Sequence, residues 1–366
     1  MKILNSYILK ELRSSFMFCF AIFTFILVVG NLVKLADLVI NKGVNLLSVG
    51  KLFALLLPSL LNYTIPMAVL VGILLTFGYL SANNEITAIR CSGFALSRIL
   101  IPLITIGIII SLSLVVLENY IIPWSHFASR KTLIEIGSRE PASCLESGRF
   151  IKEFKDYIIF IHEIKGNKLK HIRIYQPRYA KNTRTIVAQR GVLIPFSSDK
   201  EEKIALKLID GWSEEQNPQE PDKFYKAKFK DYKLTLNPTS RLKKETVEKK
   251  IKDMNIKELK KEIGRLKKKG ISAIPLIAEM QRKFSFSFSV LAFIIVGFPL
   301  GIIAKRGEKP IGFGLGLAII LLYYLLMAGS KGLIISKGAN PYFWMWLPNV
   351  IIAGIGVVLT YLMVER

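Results

Sequence analysis

Six apolar segments occupy the two ends of this 366-residue chain, and a charged stretch separates the third from the fourth. The hydrocarbon core of a bilayer is about 30 Å thick and a helix rises about 1.5 Å per residue, so a spanning helix needs roughly 20 apolar residues. Segments of that kind run over 15–38, 52–80, 99–122, 284–304, 311–335 and 342–364. The expected fold class is an α-helical membrane protein of six transmembrane helices, with one large soluble domain inserted between helices 3 and 4. Pro58, Pro66 and Pro299 fall inside apolar segments and predict kinks, because neighbouring helices can satisfy the carbonyls that proline frees.

Charge follows the opposite distribution. Between Arg130 and Lys283 there are 37 Lys/Arg and 21 Asp/Glu, so this stretch carries +16 of the net +24. In the short loops, Lys2, Lys10, Arg13, Arg90, Arg98, Lys305, Arg306, Lys309 and Arg366 lie on one side, and Lys34, Lys42, Lys51, Lys331 and Lys337 on the other. Positive residues concentrate on the cytoplasmic side, which predicts cytoplasmic termini and an external inserted domain. Lys10, Glu11 and Arg13 precede an apolar run too long for a signal peptide, so the first segment is expected to remain as a span.

Within the insert, residues 150–236 read as short antiparallel strands. Tyr157–Ile161 is rich in β-formers, and Lys165-Gly-Asn-Lys168 is a hairpin turn signal. Leu169, His171 and Arg173 alternate with Lys170, Ile172 and Ile174, and Ile204, Leu206 and Leu208 with Ala205, Lys207 and Ile209. This pattern predicts an antiparallel sandwich or jelly roll. From Asn255 the period changes: Ile256, Leu259, Ile263 and Leu266 share a helical face, Asn255 and Glu258 make a capping pair, and Gly270 terminates the helix. This basic amphipathic helix either covers the soluble domain or lies on the outer membrane face. The expected divisions are 1–122 for three spans, 123–254 for the β domain, 255–283 for the amphipathic connector and 284–366 for the last three spans.

Chemistry is sparse. There is no G-x-x-x-x-G-K-[ST] loop for nucleotide phosphates. Cys19, Cys91 and Cys144 lie one to a compartment and form no metal spacing. His126, His162 and His171 are scattered; His162 and His171 can face each other across a hairpin, which reads as a solvated sheet face. Asp37 and Glu118 lie near helix ends, and no span holds a carboxylate pair of the kind that proton-driven transporters use. No enzymatic activity, metal, cofactor or nucleic-acid partner is expected.

The loop from Ser81 to Arg98 predicts a short helix with Asn83 or Asn84 as its cap, Glu85 in its first turn and Gly93 as its end. Such a helix is either a plain connector or a docking element for a partner. Glu85-Ile-Thr-Ala-Ile-Arg-Cys-Ser-Gly93, Tyr7-Ile-Leu-Lys-Glu11, the second span with Pro66, Ile256-Lys-Glu-Leu259 running to Gly270, Gly297-Phe-Pro-Leu-Gly301 and Trp346-Leu-Pro-Asn349 together resemble the LptF/LptG permease family over essentially the whole chain. These are membrane subunits of the ABC transporter that exports lipopolysaccharide.

The resemblance implies a periplasmic jelly roll between spans three and four, an inner-membrane location, and a related six-helix permease as partner. It further implies an LptB-type ATPase dimer that binds the ATP, periplasmic jelly-roll bridge proteins of the LptC/LptA type, and lipopolysaccharide among the surrounding membrane lipids. The helix around 84–93 matches the family's coupling helix. Glu85 is carried over as the polar anchor to the ATPase, with Ile86 and Ile89 as apolar contacts and Arg90 beside them. Lys34 lies where the family carries basic residues facing the lipid cavity, with Lys42 and Lys331 as further substrate-binding candidates. Lys34 can equally snorkel to the interface beside Asp37. Gly297/Gly301 and Gly312/Gly316 allow close helix contact; the first pair reads as internal packing, and in the family the fifth span helps form a lateral gate. Asn41-Lys-Gly-Val44 leans toward the LptF half. Two other readings stay open: an ABC subunit that transmits force and transports nothing, and a membrane-anchored scaffold.

Overall fold

The computed structural model describes residues 2–40, 44–94, 96–139, 148, 150–154, 157–165, 168–177, 183–198, 201–216, 224–236, 249–303 and 309–365. They form two compact units. A helical unit comprises Met1–Leu32, Ala54–Phe127 and Lys249–Arg366; a second unit comprises Val33–Phe53 and Ala128–Glu248 and holds the sheet.

The helices are α1 (Lys2–Ile40), α2 (Leu46–Ala82), α3 (Glu85–Cys91), α4 (Ser97–Val116), α5 (Ile122–Arg139), α6 (Ile256–Lys268), α7 (Ile274–Ser287), α8 (Ser289–Ile303), α9 (Lys309–Lys337), α10 (Pro341–Trp344) and α11 (Leu347–Glu365). Among the described residues, five stretches are long and apolar enough to cross a membrane: Ile3–Ile40, Leu46–Ala82, Arg98–Ile134, Ile274–Ile303 and Ile311–Lys337. The sixth apolar helix, Leu347–Met363, is shorter. Pro58 and Pro66 lie within an unbroken α2 and Pro299 within α8, so they do not end these helices.

Helices α1 and α2 begin earlier than the expected segments, at Lys2 and Leu46, and three further boundaries differ from the sequence reading. The third apolar helix does not stop near 122: α4 passes through a π turn (Leu117–Ile121) directly into α5. Pro123 explains the turn. It has no N–H, so the carbonyls behind it lose their usual donor, and the Ile122 N–H reaches back five residues to Leu117 O. The fourth span starts at Ile274, so Glu279, Arg282 and Lys283 sit within an apolar helix and not in a connector. The sixth segment is split at Met345 and Trp346. The carbonyl of Met345 accepts from Ser285 Oγ at 2.5 Å, and Asn349 Nδ2 donates to Ser285 O at 2.6 Å, so α7 takes up groups at the break between α10 and α11.

Helix α8 is apolar on every side, the pattern of a helix buried all round. Glycines let its neighbours close on it. A Cβ at Gly356 of α11 would lie 2.5 Å from Ile295 O, and one at Gly107 of α4 would lie 2.4 Å from Ile294 Cδ1. Gly301 faces Phe77 and Leu74 of α2. Gly316 of α9 also meets α2, at Val71 and Leu74, so both glycine pairs serve contacts inside this chain. Helix α6 carries the expected capping box, with Asn255 Oδ1 accepting from Glu258 N at 2.8 Å and Glu258 Oε2 accepting from Asn255 N at 3.0 Å. Its apolar face packs on α7: Leu259 is fully buried with Leu276 and Met280, and Ile256, Ile263 and Leu266 join them.

In the second unit, β1 (Phe150–Phe154), β2 (Tyr157–Lys165), β3 (Lys168–Pro177), β4 (Thr183–Ser198), β5 (Glu201–Gln216) and β6 (Phe224–Leu236) hydrogen-bond in chain order as one antiparallel sheet. Lys165 pairs with Lys168, the closure expected of a hairpin there. The expected roll is therefore built from one continuous meander among the described residues, not from two separate sheets. A crease makes this workable. From β2 to β6 the pairing skips one residue per strand, at His162, His171, Gln189, Asp210 and Lys230, which stand in a row. His171 and Asp210 adopt left-handed backbone with φ of 50° and 56°, a conformation His and Asp enter more readily than most residues. Each such residue shifts the pleat by one. Thus Ile161 and Ile164, Leu169 and Ile172, and Ala188 and Gly191 share the inner face although they are three positions apart. Among the described residues, the resulting core of Ile159, Ile161, Leu169, Ile172, Ile174, Ile186, Ala188, Leu206, Leu208 and Leu234 is drawn from the strands of the sheet. Charged pairs such as Glu163–Lys170 at 3.1 Å and Lys207–Asp231 at 3.2 Å take the outside.

Candidate functional site

Helix α3 is a seven-residue helix between α2 and α4, as the loop sequence predicts. Its start differs from the expected cap. Asn84 occupies the position before the helix in left-handed conformation (φ 60°), and its side chain caps nothing. The residue instead reverses the chain, and Ser81 Oγ, donating to Ile302 O at 2.9 Å, pins the end of α2 to α8. Gly93 (φ 79°) closes the helix, with its N–H donating to Arg90 O at 2.9 Å.

The side chains of α3 divide into an inner and an outer set. Ile86 is 3% exposed and belongs to the interior cluster of Ile8, Leu80, Leu96, Ile99 and Met363, with Ile89 partly buried against it. Ile86, expected as an apolar contact for a partner, packs into this chain's own interior and seats α3 there. Arg90 is exposed on α3 but reaches back along it, donating from Nη2 to Met363 O at 3.1 Å, where a cation suits the carbonyl end of α11. Glu85 accepts from Tyr7 Oη at 3.0 Å, which ties α3 to the start of α1. The exposed surface consists of Thr87, Ala88, Arg90 and Cys91, together with the aromatics Tyr7, Tyr79 and Phe94. Sequence reading passed over these aromatics. The signal was available: Tyr79 and Phe94 flank a polar loop where nothing in an apolar core calls for them.

A second constellation lies at the far end of the spans. Glu118 stands 20 residues beyond Arg98 and Arg282 stands 21 before Ile303, each about 30 Å along a helix. Glu118 is 1% exposed in the π turn. Its Oε1 accepts from Asn62 Nδ2 at 2.8 Å and from Arg282 Nη1 at 3.3 Å, and its Oε2 from Arg282 Nη2 at 3.4 Å. Arg282 Nε donates to Glu279 Oε1 at 3.0 Å. Lys283, 2% exposed, donates to the backbone carbonyls of Glu118 at 2.9 Å and Met254 at 3.0 Å. Two carboxylates therefore meet two cations, which is the condition for keeping charge in an apolar interior.

Lys331 stands at the rim of this group, 3.9 Å from Glu279 Oε2 with its side chain 42% exposed. Lys34 is exposed on α1. Lys42 lies outside the described residues, as do Cys144 and the loop bearing Lys305 and Arg306. The sequence reading missed Glu118, Glu279, Arg282 and Lys283. Glu279, Arg282 and Lys283 share one face of an apolar helix at i, i+3 and i+4, but the fourth span was taken to begin after them. His162 and His171 do face each other, with ring centroids 6.0 Å apart, and His126 Nε2 lies 3.4 Å from Ser59 Oγ. Among the described residues, no group of three or more His, Cys, Asp or Glu is placed to hold a metal.

Comparison with known proteins covers the whole of this arrangement. A family model described as "Lipopolysaccharide export system permease LptF/LptG" matches residues 6–362. Over 368 aligned residues the chain is 20% identical to "Lipopolysaccharide export system permease protein LptF" of Escherichia coli (strain K12), across 98% of this chain and 94% of that protein. The protein of the same description from Shigella flexneri shows the same identity and coverage.

Proposed function

Because the chain belongs to the LptF/LptG permease family, the membrane component of a lipopolysaccharide export system, we propose that it is one half of an ABC-transporter permease that extracts lipopolysaccharide from the inner membrane. It pairs with a related six-helix permease, and a separate LptB-type ATPase dimer binds and hydrolyses the ATP. Its termini and α3 face the cytoplasm, its β domain faces the periplasm, and that domain passes the glycolipid to bridge proteins of the LptC/LptA type. The uneven distribution of Lys and Arg in the short loops supports this orientation.

The observation that carries the reading is the way α3 is held. A helix of seven residues is too short to be stable alone, yet Ile86, Arg90 and Ser81 fix it to α2, α8 and α11. A partner that pushes on its outer face therefore pushes on the spans. Glu85 and the aromatics Tyr7, Tyr79 and Phe94 form the docking face for the ATPase, while Ile86 and Arg90 anchor the helix from behind. At the opposite end, Lys34, Lys42 and Lys331 supply cations for the phosphates and acidic sugars of the cargo. Closure of the ATPases moves α3, collapses the cavity between the permeases and expels the lipid.

The direct test is Glu85→Arg in the tagged protein. Loss of the co-purifying ATPase, with the second permease still bound, is the expected result. A Glu85→Arg protein that assembles fully and exports normally rules this reading out. Lys34→Asp, in turn, is expected to lower glycolipid recovery without disturbing assembly.

A further inference from the structure

The chain leaves the helical unit for the sheet through α5, and returns through the 3₁₀ turn Ile251–Asp253 and α6. Both passages are tied to the same buried group of charges. The outgoing passage is held at the π turn. The Ile122 N–H is taken by Leu117, and Pro123 has no N–H, so Glu118 O has no helical donor; Lys283 Nζ fills that vacancy at 2.9 Å. The same ammonium holds the returning passage through Met254 O at 3.0 Å. One residue beyond Glu118 and two beyond Met254, Asn119 Oδ1 accepts from Ile256 N at 2.8 Å. Behind these ties, Arg282 joins Glu118 of the third span to Glu279 of the fourth, and Asn62 brings in the second.

Stability alone is a poor reason for this construction. Apolar side chains of similar volume in place of a buried ion pair are often neutral or stabilising, and α8 shows that this chain packs span against span without charge. Hydrogen bonds to a charged group add direction and stiffness that apolar contact does not. We propose that Lys283, supported by Arg282 and Glu118, is a positioning residue of the export cycle. It makes the outer ends of the third and fourth spans and both passages to the sheet move as one piece, so that displacement begun at α3 reaches the β domain. This rests on the export reading, and the assay separates the two.

The permease pair with its ATPase is reconstituted in vesicles containing lipopolysaccharide, and glycolipid delivered to a soluble bridge protein is measured per ATP hydrolysed. Lys283→Met is expected to leave ATP hydrolysis near the wild-type rate and to lower delivery per ATP by about tenfold, the size of one charged hydrogen bond. Asn119→Ala, which removes a half-buried neutral tie and strands no charge, is expected to lower it by about fivefold. If Lys283→Met fails to assemble, Asn119→Ala decides. A knot that only stabilises would lower the yield or the melting temperature and leave delivery per ATP unchanged, and that result in either assembled variant overturns the proposal. No delivery by the wild-type complex overturns the export reading instead.

Discussion

Truncating Glu118 would leave the Arg282 guanidinium and the Lys283 ammonium facing each other in an apolar interior without their main counter-charge. Glu118→Ala is therefore expected to cost about 3–5 kcal/mol, the usual penalty for breaking a buried pair from one side. Thermal unfolding in detergent should show a much lower midpoint for it than for Glu163→Ala, whose pair with Lys170 lies on the exposed face of the sheet. The sequence displayed these charges without displaying their meeting. Glu118 and Arg282 are 164 positions apart, and only the helix boundaries place them at the same depth. Ile86 teaches the same lesson in reverse. Its spacing on α3 says that it shares a face with Ile89, but not whether that face looks outward to a partner or inward to Ile8 and Met363.

At the scale of elements, glycine contacts separate tight helix pairs from loose ones. Gly356→Ala places a methyl group against the Ile295 backbone, which cannot swing aside, and is expected to destabilise by about 1–3 kcal/mol. Gly354→Ala, two residues away with nothing within 4 Å, should be neutral or mildly stabilising, and thermal melts of the two proteins make the comparison. The connector helix offers a pH-dependent counterpart. Partial burial works against the ionised form of Glu258, but the Lys249 ammonium and the Asn255 backbone N–H outweigh it and hold the carboxyl below its ordinary value. Its contribution to the capping box is thus complete above the unfolded carboxylate value of about 4.3. It is lost as the pH falls through the lower folded value. Amide exchange in the first turn of α6 should accelerate in that acid window, and Glu258→Gln should move the change out of it. This helix was readable because cap, period and terminator all agree. The sheet was only half readable: Leu206 and Leu208 lie inward as the alternation says, whereas the left-handed backbone at His171 shifts the phase and puts Leu169 and Ile172 on one side.

For the molecule as a whole, apolar length and charge segregation were enough to give spans at both ends and an antiparallel β insert between them. The split at Met345 was not readable, because it depends on Ser285 and Asn349 finding each other across 64 positions. In the proposed orientation α3 and the buried charge cluster stand at opposite faces of the membrane, which is what a machine driven from one side and delivering on the other requires. That claim is tested most directly by purifying the tagged protein from its native membrane in mild detergent and identifying what accompanies it by mass spectrometry. The account predicts an ATPase, a second six-span permease and a lipid A-type glycolipid in the same particle. Recovery of the protein with neither ATPase nor glycolipid would contradict it.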